Sequence, residues 1–115
     1  IRDNGTLRFT FAIGTGNFTS TGDINAQSDV RTITDIETIT NALNKVLSMR
    51  GVTYERKAAL GKVKLGVIAQ EVEEILPEVI NTTDDGMKAV AYGNIVGLLI
   101  EAIKDLKEEV DNLNQ

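Results

Sequence analysis

The sequence contains no cysteine and no histidine. Zinc, haem and iron–sulfur centres therefore lose their usual ligands, and Cys–His and Ser–His–Asp catalysis lose their base. No metal and no cofactor are expected. The absence of cysteine fits any redox compartment and so locates nothing. Tryptophan is absent and aromatics make up 4% of 115 residues, so any core must be built from Ile, Val, Leu and Ala. Basic residues are the minority, 12 against 17 acidic, for a net charge of −5. A nucleic-acid partner, which demands a basic face, is not expected, and neither is an anionic membrane surface. No apolar run is long enough to span a bilayer, and nothing resembles a signal peptide. There is a single proline, Pro77, and no initiator methionine at Ile1, which predicts a piece of a longer protein.

The chain is long enough for one small domain and an appendage. Residues 1–27 are rich in Gly, Thr and Ser. Within them Leu7, Phe9, Phe11 and Ile13 alternate with polar or small residues, a period of two that predicts a strand with one buried face. Residues 14–24 predict short strands joined by glycine turns. Three Phe are too few to close a core, which pairing with copies of the same segment would supply.

From Thr34 the pattern becomes helical. Ile36, Ile39, Leu43, Val46 and Leu47 fall at spacings of three and four, with Thr34 or Asp35 as cap and Gly51 as stop. Val52–Arg56 and Val63–Ile68 predict a hairpin around a turn at 57–62. Ala69–Leu76 predicts a short helix with Val72, Ile75 and Leu76 inward, ended by Pro77. Residues 81–86 predict a polar turn and Met87–Tyr92 a strand. Gln70, Glu71, Glu73 and Glu74 read best as helix packing and a solvated face. Asp84-Asp85-Gly86 reads as a turn, because the other ligands of a calcium loop are missing.

The last element is the longest. From Asn94 to the end, residues 94–115, Val96, Leu99, Ile103, Leu106, Val110 and Leu113 follow spacings of 3, 4, 3, 4 and 3. That is an a/d seam of between two and three heptads. An amphipathic helix packed on its own domain would give the same pattern. The strict seam and its place at the end of the chain favour self-association.

Several blocks in fixed order carry a family resemblance. They are Ser28-Asp29-Val30-Arg31, Gly51-Val52-Thr53-Tyr54, Leu65-Gly66-Val67-Ile68-Ala69-Gln70-Glu71-Val72 running to Pro77-Glu78, Val90-Ala91-Tyr92, and Leu98 to Leu106. From about Gly22 onward the chain resembles the intramolecular chaperone domain of endosialidase tailspikes and related phage fibres, the S74 peptidase family. The resemblance implies residues 1–27 as the end of a β-rich trimeric stalk and residues 28–115 as a chaperone. The implied fold is α+β: a β-strand fibre segment, a small helix–hairpin–helix–strand domain and a long C-terminal helix, as a homotrimer joined coiled-coil fashion. It further implies partnership with upstream fibre domains, no membrane insertion, and a place in a virion tail fibre or tailspike assembled in the host cytoplasm.

In that family the domain cuts itself away before the serine of the Ser-Asp-x-Arg motif. The resemblance therefore implies a cleavage bond at Gln27–Ser28, with Ser28 as nucleophile and Asp29 and Arg31 as motif residues. Asp29 and Arg31 would position the Ser28 backbone, pair across subunits, or simply lie at the surface. Cleaving relatives pair the serine with a lysine five residues on, and here that position is Ile33. Arg31 cannot serve as the base, since guanidinium stays protonated, and Thr32 and Thr34 offer none. The expectation is a trimerising chaperone with cleavage lost or slow. An active autoprotease and a permanently retained fibre tip are the alternatives.

Overall fold

The computed structural model describes residues 2–115. It divides into two compact units, one up to Ile36 and one from Glu37 to Gln115.

The first unit consists of two-stranded antiparallel ribbons. Strands β1 (Arg2–Asp3) and β2 (Thr6–Leu7) pair Arg2 with Leu7. They are joined by Asn4-Gly5, both at positive φ (48° and 79°), the conformation a tight hairpin of right-handed twist requires. Strands β3 (Phe9–Phe11) and β4 (Phe18–Ser20) pair Phe11 with Phe18. Phe9 and Phe11 lie 6.3 and 5.0 Å from the Phe18 ring, on one face of the ribbon. The single alternating strand expected over 7–13 is thus split between two ribbons. Ile13 lies beyond it, in a turn closed by Gly16 N–H donating to the Ala12 carbonyl at 2.7 Å. The buried face expected for that strand is absent as well: no described residue of this unit is buried. A two-stranded ribbon is marginal without further cover.

The second unit holds the core, formed by Ala42, Val72, Leu76, Val79, Ile95, Leu98 and Ala102. All are aliphatic, as the scarcity of aromatics dictates. Helix α1 spans only Ala42–Leu47, a correction to the helix expected from Thr34. The run Ile33, Thr34, Ile36, Thr38, Ile39, Thr40 is β-branched, which disfavours helix. Asp35 and Asn41 also sit at φ 54° and 56°, the left-handed region, which interrupts any helix through them.

Strands β5 (Val52–Arg56) and β6 (Ala59–Gly66) form the expected hairpin. Its turn is tighter than 57–62, because Arg56 already pairs with Ala59. The residues between Ala59 and Val63 bulge, with Gly61 at φ 86° and its N–H donating to the Glu55 carboxylate. Helix α2 (Ala69–Ile75) buries Val72, and Pro77 opens a 3₁₀ turn, Pro77–Val79. Ile75 is only half-buried, and Leu76 and Val79 complete that side of the core. Strand β7 (Ile80–Thr82) pairs with β8 (Lys88–Val90), so the expected polar turn begins later than residue 81 and the expected strand ends before Tyr92. The intervening turn has Gly86 at φ 86° and the Thr83 hydroxyl donating to the Asp85 carboxylate.

Tyr92–Ile95 is a 3₁₀ turn leading into α3, Val96–Leu113, so the helix expected over 94–115 is shorter at both ends. Gly66 leaves room for the Tyr92 ring: an added Cβ would lie 2.7 Å from the Tyr92 hydroxyl and push it aside. That hydroxyl accepts the Val67 N–H at 3.3 Å, tying the hairpin to the start of α3.

Candidate functional site

Residues 24–28 carry no regular structure and are exposed, so the Gln27–Ser28 bond is accessible. Asp29, extended at φ −71° and ψ 132°, caps the 3₁₀ turn Val30–Thr32. One carboxylate oxygen accepts the Arg31 backbone N–H (2.9 Å) and Nε (3.0 Å), and the other accepts Nη2 (2.7 Å). The Thr32 hydroxyl and N–H both donate to the Asp29 carbonyl, at 2.8 and 2.9 Å. The motif residues therefore pair with each other inside one chain and fold the turn that follows Ser28. The Arg31 side chain, and then its backbone N–H, holds the Asp29 carboxyl below the usual range. The same contact raises Arg31 above an ordinary guanidinium. Arg31 is thus even less able to accept a proton from Ser28. The bonds of this turn run from Arg31 and Thr32 to Asp29, and none of them involves Ser28.

Ile33 ends the turn in extended conformation (φ −123°, ψ 157°) and places an aliphatic side chain at the position where the resemblance implies a lysine. Every lysine of the chain lies beyond Glu37, in the second unit. Three of them are engaged there. Lys88 binds Glu73 at 3.0 Å, Lys104 binds Glu101 at 3.4 Å, and Lys107 binds Asp111 at 2.6 Å.

Helix α3 presents the other candidate surface. It turns Leu98 and Ala102 into its own core, against α1. Val96, Leu99, Ile103, Leu106, Val110 and Leu113 stay between 44% and 83% exposed. Packing on the chain's own domain therefore does not account for the seam. Asp105, one turn beyond Ala102, does something the sequence did not disclose. Its carboxylate accepts the Leu43 N–H at 3.3 Å and caps α1 from 62 residues away, while Asn41 gives no side-chain cap. No local pattern could show this, because the cap and the capped helix meet only in the folded chain.

Glu71 pairs with Arg50 through two bonds of 2.8 Å, and Glu73 with Lys88, as a solvated helix face should. Among the described residues no cluster of acidic side chains is arranged to hold a metal ion. Among the same residues no helix is long and apolar enough to cross a membrane.

Residues 28–81, starting at the serine itself, match the family model described as chaperone of endosialidase, Peptidase S74. That stretch is just under half of the chain, and over it the chain is similar to the endosialidase-chaperone family. The chain is also 33% identical over 81 residues to the long tail fiber protein Gp37 of Enterobacteria phage K3. It is equally similar to that of phage T2, and 32% identical over 80 residues to that of phage M1. These matches take in 64%, 64% and 63% of this chain. The chain spans 6% of the K3 and T2 proteins and 32% of the M1 protein. The match to the chaperone domain begins within the first compact unit and continues into the second, so both units contribute to it.

Proposed function

We propose that this chain is the chaperone segment of a bacteriophage tail fibre, that it works as a homotrimer joined through α3, and that it stays attached. The observation that carries the reading is the seam. Six apolar residues at heptad spacing remain open on α3 while Leu98 and Ala102 fill the chain's own core. The β-ribbons point the same way, since Phe11 and Phe18, in contact on one face, stay 70% and 48% exposed in one chain.

The physical need is entropic. Strands that pair between chains are non-local, so their ordering cost precedes any reward. Three helices that associate first raise the effective concentration of the fibre segments they carry. Upstream fibre domains of the same chain are the client, and the assembled product belongs to the virion tail, put together in the host cytoplasm.

Cleavage at Gln27–Ser28 is lost or very slow. Ile33 supplies no base, Arg31 is locked on Asp29, and a serine hydroxyl does not act as a nucleophile unaided. The domain then remains as the tip of the fibre. The test is to express the fibre region with this segment intact and with Leu99 and Ile103 both changed to Asp. Soluble, protease-resistant trimer only with the intact seam is the expected outcome. Equal yields from both would remove the chaperone role.

A further inference from the structure

Each residue of a helix is rotated by about 100° from the one before, so the seam of α3 has two different flanks. Val96, Ile100 and Ile103 form one. They rise over about 10 Å of helix and are 54%, 48% and 67% exposed, an aliphatic ridge. Leu99 and Ile95 lie toward the other flank. There a hollow of about 440 Å³ opens between α1 and α3, lined by Val46, Met49, Val67, Tyr92, Ile95 and Leu99. Arg50 also borders it, but its guanidinium is bound to Glu71, which leaves the lining mainly apolar.

Ridge and hollow are alike in chemistry and sit on opposite flanks of one helix, so they cannot meet within a chain. A neighbour's ridge can reach the hollow. Leu99 belongs both to the seam and to the hollow, which makes the hollow a direct extension of the seam. Area argues for that extension. An isolated helix of this length is marginal, and a stable interface needs about 800 Å² from each partner. A seam of two to three heptads gains by recruiting the surface beside it. The arrangement follows from the three-chain assembly proposed above: neighbours in a closed trimer are related by a three-fold rotation, so their contacts run head to tail. A head-to-tail rotation covers one ridge and one hollow on every chain.

We infer that the hollow between α1 and α3 receives the Val96–Ile100–Ile103 ridge of a second copy, head to tail, closing a ring. The inference rests on the self-association proposed above and adds its second surface.

The chain has no cysteine, so introduced pairs are unambiguous. Met49→Cys and Ile100→Cys in one chain, mildly oxidised, should give covalent trimers on a denaturing non-reducing gel, and neither single variant should. A ladder that stops at dimer overturns the ring. No interchain link in a protein that light scattering shows to be assembled overturns the hollow as docking site and leaves the seam standing. A wild type that is monomeric by the same light scattering removes the self-association itself. A charge pair is an independent check. Met49→Lys and Ile100→Glu should each weaken assembly at least tenfold without changing helical circular dichroism, and the two together should recover part of the loss. A double variant no better than the worse single one contradicts the contact.

Discussion

Ile103→Ala separates assembly from folding. Ile103 is 67% exposed in the single chain and lies outside the core cluster. Full burial of an isoleucine is worth about 1.5–3 kcal/mol, and two thirds of that surface is still available to be covered, so association gains about 1–2 kcal/mol per chain from this side chain. Truncation to alanine removes most of it. Summed over three chains the trimer loses about 3–5 kcal/mol, or about two to four powers of ten in its dissociation equilibrium. The thermal midpoint of the dilute single chain should not move, because nothing in the core is touched. Leu98→Ala is the control. Leu98 is 1% exposed, so its truncation should cost about 2–5 kcal/mol of folding itself. Sedimentation equilibrium over a wide concentration range, with circular dichroism at the lowest, reads both quantities. An Ile103→Ala protein that assembles as tightly as wild type, or that melts early as a monomer, would refute the division of α3 into a core face and an association face.

Other changes test the serine turn and the fold beneath the seam. Ile33→Lys should restore cleavage at Gln27–Ser28, seen as two fragments on a denaturing gel; a chain that stays whole means that the missing lysine is not the main defect. Asp105→Ala should cost about 1 kcal/mol by removing the cap of α1, measured as a lower denaturant midpoint of the single chain; an unchanged midpoint would show that the Leu43 N–H is satisfied otherwise. Glu71→Gln should flatten the acid side of the stability profile. Arg50 lowers the folded Glu71 pKa below its ordinary 4.5, so the pair's contribution is present above that value and fades as pH falls through the folded one. The effect is small, since both partners are exposed, and equal melting shifts for wild type and variant between pH 7 and 3 would contradict it.

Legibility of the fold followed how local each cause is. The existence of the β5–β6 hairpin was readable because β-branched runs and Gly61 act within a few residues, but its second strand, expected over Val63–Ile68, runs Ala59–Gly66 because the chain turns earlier and bulges at Gly61. The end of α2 was readable because Pro77 cannot continue a helix. The segment 34–41 misled because Ile36, Ile39 and Leu43 happen to fall at helical spacing. Ile36 is in fact exposed, and the left-handed Asn41 starts the helix late. Strand β7 was hidden because Asn81-Thr82 and the following Thr83 have the composition of a turn, and Ile80 alone of the strand packs on the core. At the site, Ser28, Asp29 and Arg31 were visible as a family motif, but their mutual pairing was not. The seam on α3 was readable from spacing alone; which of its residues stay open was not, because Leu98 and Ala102 are apolar too. The hollow was invisible for a different reason: its lining comes from the end of α1 and the residues after it, Val67 just past β6, the turn into α3 and Leu99 of α3 itself, which only the fold brings together.

The most direct test of the account is the molar mass of the native chain by light scattering, across micromolar concentrations and at moderate salt. The account predicts a particle three times the 12.5 kDa of one chain. A particle of 12.5 kDa throughout, with α3 still helical, would contradict it.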